Sequence, residues 1–260
     1  MINQGEIDEA LVKLKLIDLR SNLACINICG VNSVIRSVGF DEEYGSLPHS
    51  VDLLKIEKQA NAGNTSALTS LASCCGITKA KSTDKADVYI NNEGWSIKSF
   101  QGSSPAIANH TSRFGWERIA REKGLNIVNL DKIISDYWEK RTNGIIGEDI
   151  SSIDPESPFK DAKETLRPFI NYFLYEGTGH ARSEHPAAGV LSCKVPLNVN
   201  TWQFHRPDEY FDEIWNNLIF SVRHKGIENY PECKNYLEIE PWVRYFQGSY
   251  KGTLHVRVKK

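Results

Sequence analysis

The chain has 260 residues, of which 40% are hydrophobic and 25% are charged, and its formal net charge at pH 7 is −2. These values are typical of a globular protein, and no apolar run approaches the roughly 18 residues that a membrane-spanning helix needs. A nearly neutral chain is a poor candidate for a protein that coats nucleic acid indiscriminately, although it allows a localised basic cleft. The first residues lack the basic-then-apolar order of a signal peptide. We therefore expect a cytoplasmic protein without a membrane partner.

The six cysteines do not follow the spacing of a zinc site, because no Cys-x-x-Cys pair is followed by a second pair. Cys74 and Cys75 are adjacent, which is a poor geometry for a mutual disulfide. We expect free buried thiols in a reducing compartment.

The first half of the chain carries signals for both helices and strands. The segment 24–40 is rich in Ile, Val, Cys and Gly and fits either strands or a buried segment. Mixed apolar and charged spacing predicts a helix over 6–20. A second helix is expected from Pro48 to about Ala60. A third is expected to be capped by Asn64-Thr65-Ser66 and to end at Gly76. The next element is a predicted hairpin over 87–98, followed by a loop or short helix that begins near Pro105.

The second half is predicted to alternate helices, loops and a final strand. Residues 166–175 are strongly apolar, and their helix or strand state stays open, while 176–186 form a polar loop. Residues 252–259 alternate, with Leu254, Val256 and Val258 facing inward and His255, Arg257 and Lys259 facing out. Helices are expected over 114–123, over 131–141 with Asn129 as the cap, and over 207–220.

These elements together predict an α/β (α+β) fold with a central mixed β-sheet flanked by helices and further β elements near the C-terminus. The chain is long enough for one large domain that spans residues 1–260. The segment 142–160 carries glycine, serine and proline residues and is the best position for a subdivision.

The most informative segment is the predicted hairpin, because it carries an acid on one strand and a lysine on the other. Val88, Tyr89 and Ile90 favour a strand, and so do Trp95 and Ile97. The intervening Asn91-Asn92-Glu93-Gly94 has turn chemistry.

A turn centred on Asn92-Glu93 pairs Ile90 with Trp95 and Asp87 with Lys98. Directly opposed side chains share a face. We therefore expect a polar face that carries Asp87, Tyr89, Ser96 and Lys98.

A carboxylate and an ammonium group on neighbouring strands suit phosphodiester cleavage. Mg²⁺ prefers oxygen ligands, and Asp87 is the expected ligand. Lys98 is expected to hold the attacking water and to stabilise charge on the pentacovalent phosphorus. The structural alternative is an ordinary exposed hairpin with an Asp87–Lys98 ion pair, worth at most about 1 kcal/mol.

The same residues resemble the core of the PD-(D/E)XK nucleases, which have an acid on one strand and acid-x-Lys on the next. Ser96-Ile97-Lys98 departs from that pattern, because Ser96 stands where the family usually has Asp or Glu. The resemblance implies that a second acid comes from elsewhere, with Glu117 as the nearest candidate. Further candidates are Glu42, Glu43, Glu93 and Glu122.

The segment from Lys85 to Ser99, with its continuation Gln101-Gly102-Ser103-Ser104-Pro105 through Asn109, is similar to the HpaII-like branch of type II restriction endonucleases. The similarity covers about 30 residues firmly. It implies a Mg²⁺-dependent enzyme that cuts double-stranded DNA at specific sites. A homodimer is expected if the target is palindromic.

Residues outside the hairpin are candidates for contacts with DNA. Arg182 can read guanine edges, His180 can contact phosphate, and the amides Gln101 and Asn109 can pair with adenine. Lys251 belongs to a basic C-terminal stretch in which no acid follows Glu240. Each of these residues has an ordinary structural role as the alternative, in a solvated loop, a turn or an edge strand.

Two other functions stay open on the sequence alone. One is a repair or recombination nuclease with structural rather than sequence specificity. The other is a DNA-binding module in which the missing second acid marks lost catalysis.

Overall fold

The computed structural model describes residues 3–78, 80–100, 105–225 and 242–259. Its helices, in chain order, are α1 (Gln4–Ser21), α2 (Leu53–Asn61), α3 (Ser66–Cys74), α4 (Arg113–Lys123), α5 (Ile127–Thr142), α6 (Lys163–Asn171) and α7 (Pro207–Ile214). Its strands are β1 (Cys25–Ile28), β2 (Val31–Val34), β3 (Val38–Gly39), β4 (Val88–Ile90), β5 (Glu93–Ser99), β6 (Ala106–Ser112), β7 (Ile150–Ser151), β8 (Gly189–Cys193), β9 (Trp202–His205), β10 (Leu218–Arg223), β11 (Arg244–Phe246), β12 (Ser249–Lys251) and β13 (Thr253–Val258). The mixed α/β class expected from the sequence is confirmed.

The chain divides into two compact units, and each unit is built from two stretches of sequence. The first unit comprises residues 1–103 and 183–210, and the second comprises 104–182 and 211–260. None of the three boundaries falls in 142–160, where the composition suggested a subdivision. That the whole chain forms one nuclease-like domain stays a prediction.

The first unit is built on a five-stranded mixed sheet in the order β3-β4-β5-β8-β9. β4 is antiparallel to both of its neighbours, β3 and β5, whereas β5 and β8 are parallel and β8 and β9 are antiparallel. The predicted hairpin therefore forms the interior strands β4 and β5. Trp95 and Ile97 of β5 lie in one apolar core with Leu11 and Ile17 of α1.

The hairpin register differs by two residues from the expected one. Ile90 pairs with Glu93 and Val88 with Trp95, so the expected Ile90–Trp95 and Asp87–Lys98 pairs are wrong. The turn has two residues rather than four, because Asn91 and Asn92 adopt φ values of 50° and 66°. Positive φ at both central residues is the geometry of a tight turn that matches strand twist. A shift of two preserves which side chains share a face.

The second unit contains a four-stranded antiparallel sheet in the order β6-β13-β10-β7, together with α4, α5 and α6. β13 has the predicted alternation, since Leu254, Val256 and Val258 are buried whereas His255 and Arg257 are partly exposed. Arg257 of β13 and Arg223 of the neighbouring β10 both form ion pairs with Asp149, at 2.6 and 2.7 Å.

Four local assignments are corrected by the structure. Pro105 precedes the strand β6 rather than a loop or helix. The predicted helix over 207–220 ends at Ile214, and a 3-10 turn, Trp215–Asn217, separates it from β10. The side chains of Asp52 and Asn126 cap α2 and α5, where Pro48 and Asn129 were expected to start these helices.

The structure also assigns the two segments whose secondary structure the sequence left open. Residues 24–40 contain β1, β2 and β3, while 166–175 belong to α6 and the π-helical turn Tyr172–Glu176 that follows it.

The described cysteines have free thiols, as expected: Cys25, Cys29, Cys74, Cys75 and Cys193. Their predicted burial holds for Cys75 and Cys193 but is wrong for Cys25 and Cys74, which are exposed. Among the described residues, no helix is both long enough and apolar enough to cross a bilayer.

Substitution by glycine is expected to destabilise the protein at Asn91 but not at Asn92. Asn91 Oδ1 accepts hydrogen bonds from the amides of Arg36 and Ser37, at 2.8 and 3.2 Å, and its Nδ2 donates to the carbonyl of Val34 at 2.8 Å. Asn91→Gly should therefore lower the free energy of unfolding by about 1–2 kcal/mol.

Asn92→Gly is the matched control, because glycine accepts the positive φ without strain. It should change stability by less than about 0.5 kcal/mol. Denaturant unfolding measures both variants, and equal effects would contradict this account of the turn.

Candidate active site

Asp87 lies directly before β4, at the point where the ladder with β5 ends. Its amide donates to the carbonyl of Trp95 at 2.8 Å, although Trp95 already pairs with Val88. Two residues therefore face one partner, which is the arrangement of a β-bulge. The bulge turns the Asp87 carboxylate toward the edge of β5.

The Asp87 carboxylate is fixed by β5 itself. Its Oδ2 atom accepts hydrogen bonds from the amide of Ile97 at 2.6 Å and from the hydroxyl of Ser96 at 3.2 Å. Ser96 is only 2% exposed, so its hydroxyl is held in place. No protein donor is recorded for Oδ1 within the described ranges, which leaves that oxygen available as a ligand atom.

Lys98 follows on the same strand and is partly buried. The described part of the chain provides neither a hydrogen bond nor an ion pair for its amine, so the Asp87–Lys98 pair of an ordinary hairpin is not formed. A partly buried ammonium group without a carboxylate partner attracts an anion from solution.

Glu9 of α1 supplies an acid beside this hairpin that the sequence did not single out. Burial and the nearby carboxylate of Asp87 raise the pKa of Glu9, while the ammonium groups of Lys13 and Lys98 lower it. One Glu9 oxygen lies 2.6 Å from the amine of Lys13, and 29% of the Glu9 side chain is exposed. Glu9 therefore shares one electrostatic environment with Asp87 and Lys98.

Glu9 and Lys13 also line a pocket of about 270 Å³ between α1 and residues 68–78. The pocket lets solvent reach the Glu9 carboxylate.

Tyr44 carries a buried hydroxyl that has no hydrogen-bond partner in the described chain. Burial raises the pKa of Tyr44, and the carboxylates of Glu9 and Asp87 raise it further. Its hydroxyl therefore stays protonated beside two acids. An orphaned buried donor of this kind fits an ordered water or a hydrated ion as its missing partner.

The available donors suit Mg²⁺ better than a soft metal. No group of three or more His, Cys, Asp or Glu side chains among the described residues is arranged to hold a metal ion. Mg²⁺ does not need such a cage, because it is commonly held by one or two carboxylates, with water and phosphate as the other ligands. Asp87 and Glu9 provide that set.

The acids expected from the resemblance have other contacts. Glu117 lies on α4 in the second unit, 3.4 Å from Arg113. Glu43, Glu93 and Glu122 pair with Arg20, Arg206 and Arg118, and Glu42 is exposed. That Glu117 supplies the second acid stays a prediction, and the surroundings of Glu9 make Glu9 the better candidate.

The expected DNA-contacting residues all belong to the second unit where they are described. Asn109 on β6 and His180 are exposed, and the Arg182 side chain is 68% exposed near Glu122 and Glu176. Lys251 is 3.1 Å from Glu148 and only 14% exposed, so a phosphate contact by Lys251 requires breaking an ion pair. Gln101 lies outside the described residues.

Comparison of the chain with protein-family models, with curated proteins and with solved structures gave no match. The case for function therefore depends on the geometry of this site and on the motif that the sequence carries.

A hydrogen bond between α1 and β5 is predicted to hold Glu9 and Lys98 in place. Asp8 is fully buried, and its Oδ2 accepts a hydrogen bond from the Ser99 hydroxyl at 2.5 Å. Asp8 precedes Glu9, and Ser99 follows Lys98, so this bond joins the two backbone segments that carry these candidate site residues.

Asp8→Ala and Ser99→Ala should each lower the free energy of unfolding by about 1–3 kcal/mol. The double variant should lose clearly less than the sum of the two. Chemical denaturation of the four proteins gives the coupling energy, and strictly additive losses would show that the bond does not contribute.

Proposed function

We propose that the chain is a Mg²⁺-dependent endonuclease that hydrolyses phosphodiester bonds of double-stranded DNA at specific sites, as type II restriction enzymes do. The observation that supports this most directly is the Asp87 carboxylate held by the Ile97 amide, one residue before Lys98, whose amine has no partner among the described residues. Glu9 of α1 lies within the electrostatic influence of both side chains. The Ser-x-Lys hairpin motif supplies the resemblance to restriction enzymes.

Each residue has a distinct role in the proposed reaction. Asp87 and Glu9 would hold Mg²⁺, which when bound neutralises phosphate charge and lowers the pKa of a coordinated water. Ser96 and the Ile97 amide orient the Asp87 carboxylate through its Oδ2 atom. Lys98 holds the attacking water and stabilises the negative charge on the non-bridging phosphate oxygens, as the new P–O bond to water forms and the P–O bond to the leaving sugar oxygen breaks.

The proposed partners of the chain are double-stranded DNA and a second copy of the chain. Cutting both strands of a duplex requires two active sites or two visits by one, and a palindromic target favours a homodimer. Asn109, His180 and Arg182 are the proposed contacts with DNA, because their side chains are exposed.

A variant series tests the roles of the site residues. Asp87→Ala and Lys98→Ala should each slow Mg²⁺-dependent cleavage of supercoiled plasmid by at least about 100-fold. Glu9→Gln should slow cleavage by at least about 10-fold, because one ligand charge is lost. Glu117→Gln is the matched control and should cut like the wild type.

The product pattern separates the competing functions. Discrete bands support a restriction enzyme, nicking confined to junctions supports a repair nuclease, and a mobility shift without cutting supports a binding module. Wild-type rates in Asp87→Ala or in Lys98→Ala would contradict the proposed site.

A further inference from the structure

The strands β11 and β12 of the second unit form a hairpin that pairs with no other described strand. Tyr245 pairs with Tyr250, and Phe246 pairs with Ser249. Opposed side chains share a face, and successive side chains along a strand alternate. The hairpin therefore has an outer face with Tyr245 and Tyr250 and an inner face with Phe246 and Ser249.

The inner face packs against the second unit. The guanidinium of Arg141 lies 5.1 Å from the centre of the Phe246 ring, and the ring of Trp138 lies 6.0 Å from it. Lys251, at the end of β12, forms an ion pair with Glu148 at 3.1 Å. These contacts hold the hairpin on one side.

Both ends of the hairpin are fixed as well. Trp242, two residues before β11, is fully buried, and its indole nitrogen donates to Asp131 at 2.7 Å. Its carbonyl accepts a hydrogen bond from the indole of Trp138 at 2.9 Å. The amide of Gly252, which follows β12, donates to the carbonyl of Arg223 at 2.9 Å. The hairpin therefore presents its tip in a defined orientation.

The outer face and the tip are open. Tyr245 is 66% exposed, and its ring lies edge-to-face against Tyr250 at 5.1 Å. No described residue forms a hydrogen bond with the Tyr245 hydroxyl. A methyl group at Gly248 would meet no atom of the described chain within 4 Å. An exposed aromatic ring on a rigid support is typical of a binding surface.

The turn is strained at Gln247. Gln247 and Gly248 connect the strands with φ values of 50° and 82°, a turn in which Asn and Gly are the favoured residues. Asn91 has the same φ in the β4–β5 turn, but its amide makes three hydrogen bonds with the backbone. The exposed Gln247 amide has none within the described ranges. Uncompensated strain at an exposed tip indicates a role in binding.

We infer that the β11–β12 hairpin reads the sequence of duplex DNA from the major groove, with Gln247 on a base edge and Tyr245 on a phosphate. This inference rests on the proposed function and assigns the sequence reading that a restriction enzyme needs. The major groove admits a two-stranded ribbon, a glutamine amide matches the donor and acceptor of adenine, and tyrosine hydroxyls bind phosphate. Residues 244–251 contain no acid that would repel the DNA backbone.

Selection from a library of duplexes with a randomised centre, performed in EDTA, measures sequence reading apart from cleavage. The wild type should enrich one short sequence. Gln247→Gly should lower discrimination at one A·T pair of that sequence by about 10-fold or more. Its thermal midpoint should equal or exceed that of the wild type, because glycine accepts a positive φ.

Asn92→Gly is the matched control for this variant. It makes the same change in the other hairpin turn, where Asn92 has a φ of 66°. It should enrich the wild-type sequence to the wild-type degree.

Tyr245→Phe tests the phosphate contact, since it removes only the hydroxyl. Binding to all duplexes should weaken by about 5-fold, the value of one hydrogen bond. The enriched sequence should stay the same, because a phosphate contact carries no base information.

The outcomes separate the inference from the proposed function. A wild type that enriches no sequence, or a Gln247→Gly variant with unchanged enrichment, overturns the inference. Loss of a dimer in Tyr245→Ala with unchanged DNA selection assigns the outer face to a second copy of the chain and also overturns it. A wild type that enriches a sequence but cuts no DNA with Mg²⁺ overturns the nuclease function alone.

Discussion

The hydrogen bond from the Ile97 amide to the Asp87 carboxylate, at 2.6 Å, is the contact on which the site depends. At the end of the β4–β5 ladder, the Ile97 amide therefore donates to a side-chain carboxylate instead of to a backbone carbonyl. One carboxylate oxygen is used to fix the geometry, and the other is left for a ligand. Because β5 lies inside a five-stranded sheet and its Trp95 is fully buried, the carboxylate and Lys98 are held by one rigid strand.

Helix α1 adds the second half of the site. Its capping box between Asn3 and Glu6 fixes its start, and its apolar face packs into the same core as β5. The Asp8–Ser99 bond then aligns the helix with the strand, which brings Glu9 into the field of Asp87 and Lys98.

The hairpin was predictable from its own residues, whereas the residues that join it in the candidate site depend on tertiary packing. Strand alternation and the Asn-rich turn indicated Asp87, Ser96 and Lys98, but turn length was misjudged and the register shifted by two residues. Glu9 carries no local signal, since a glutamate on a mixed helix resembles a solvated one until α1 packs on β5.

The most direct test of a metal-dependent nuclease is to sequence the DNA ends that the purified chain produces from a complex DNA substrate with Mg²⁺. The account predicts ends that recur at one short sequence, with a constant stagger. It also predicts that EDTA or the substitution Asp87→Asn abolishes these ends. Ends no more frequent than those left by Asp87→Asn would contradict the account.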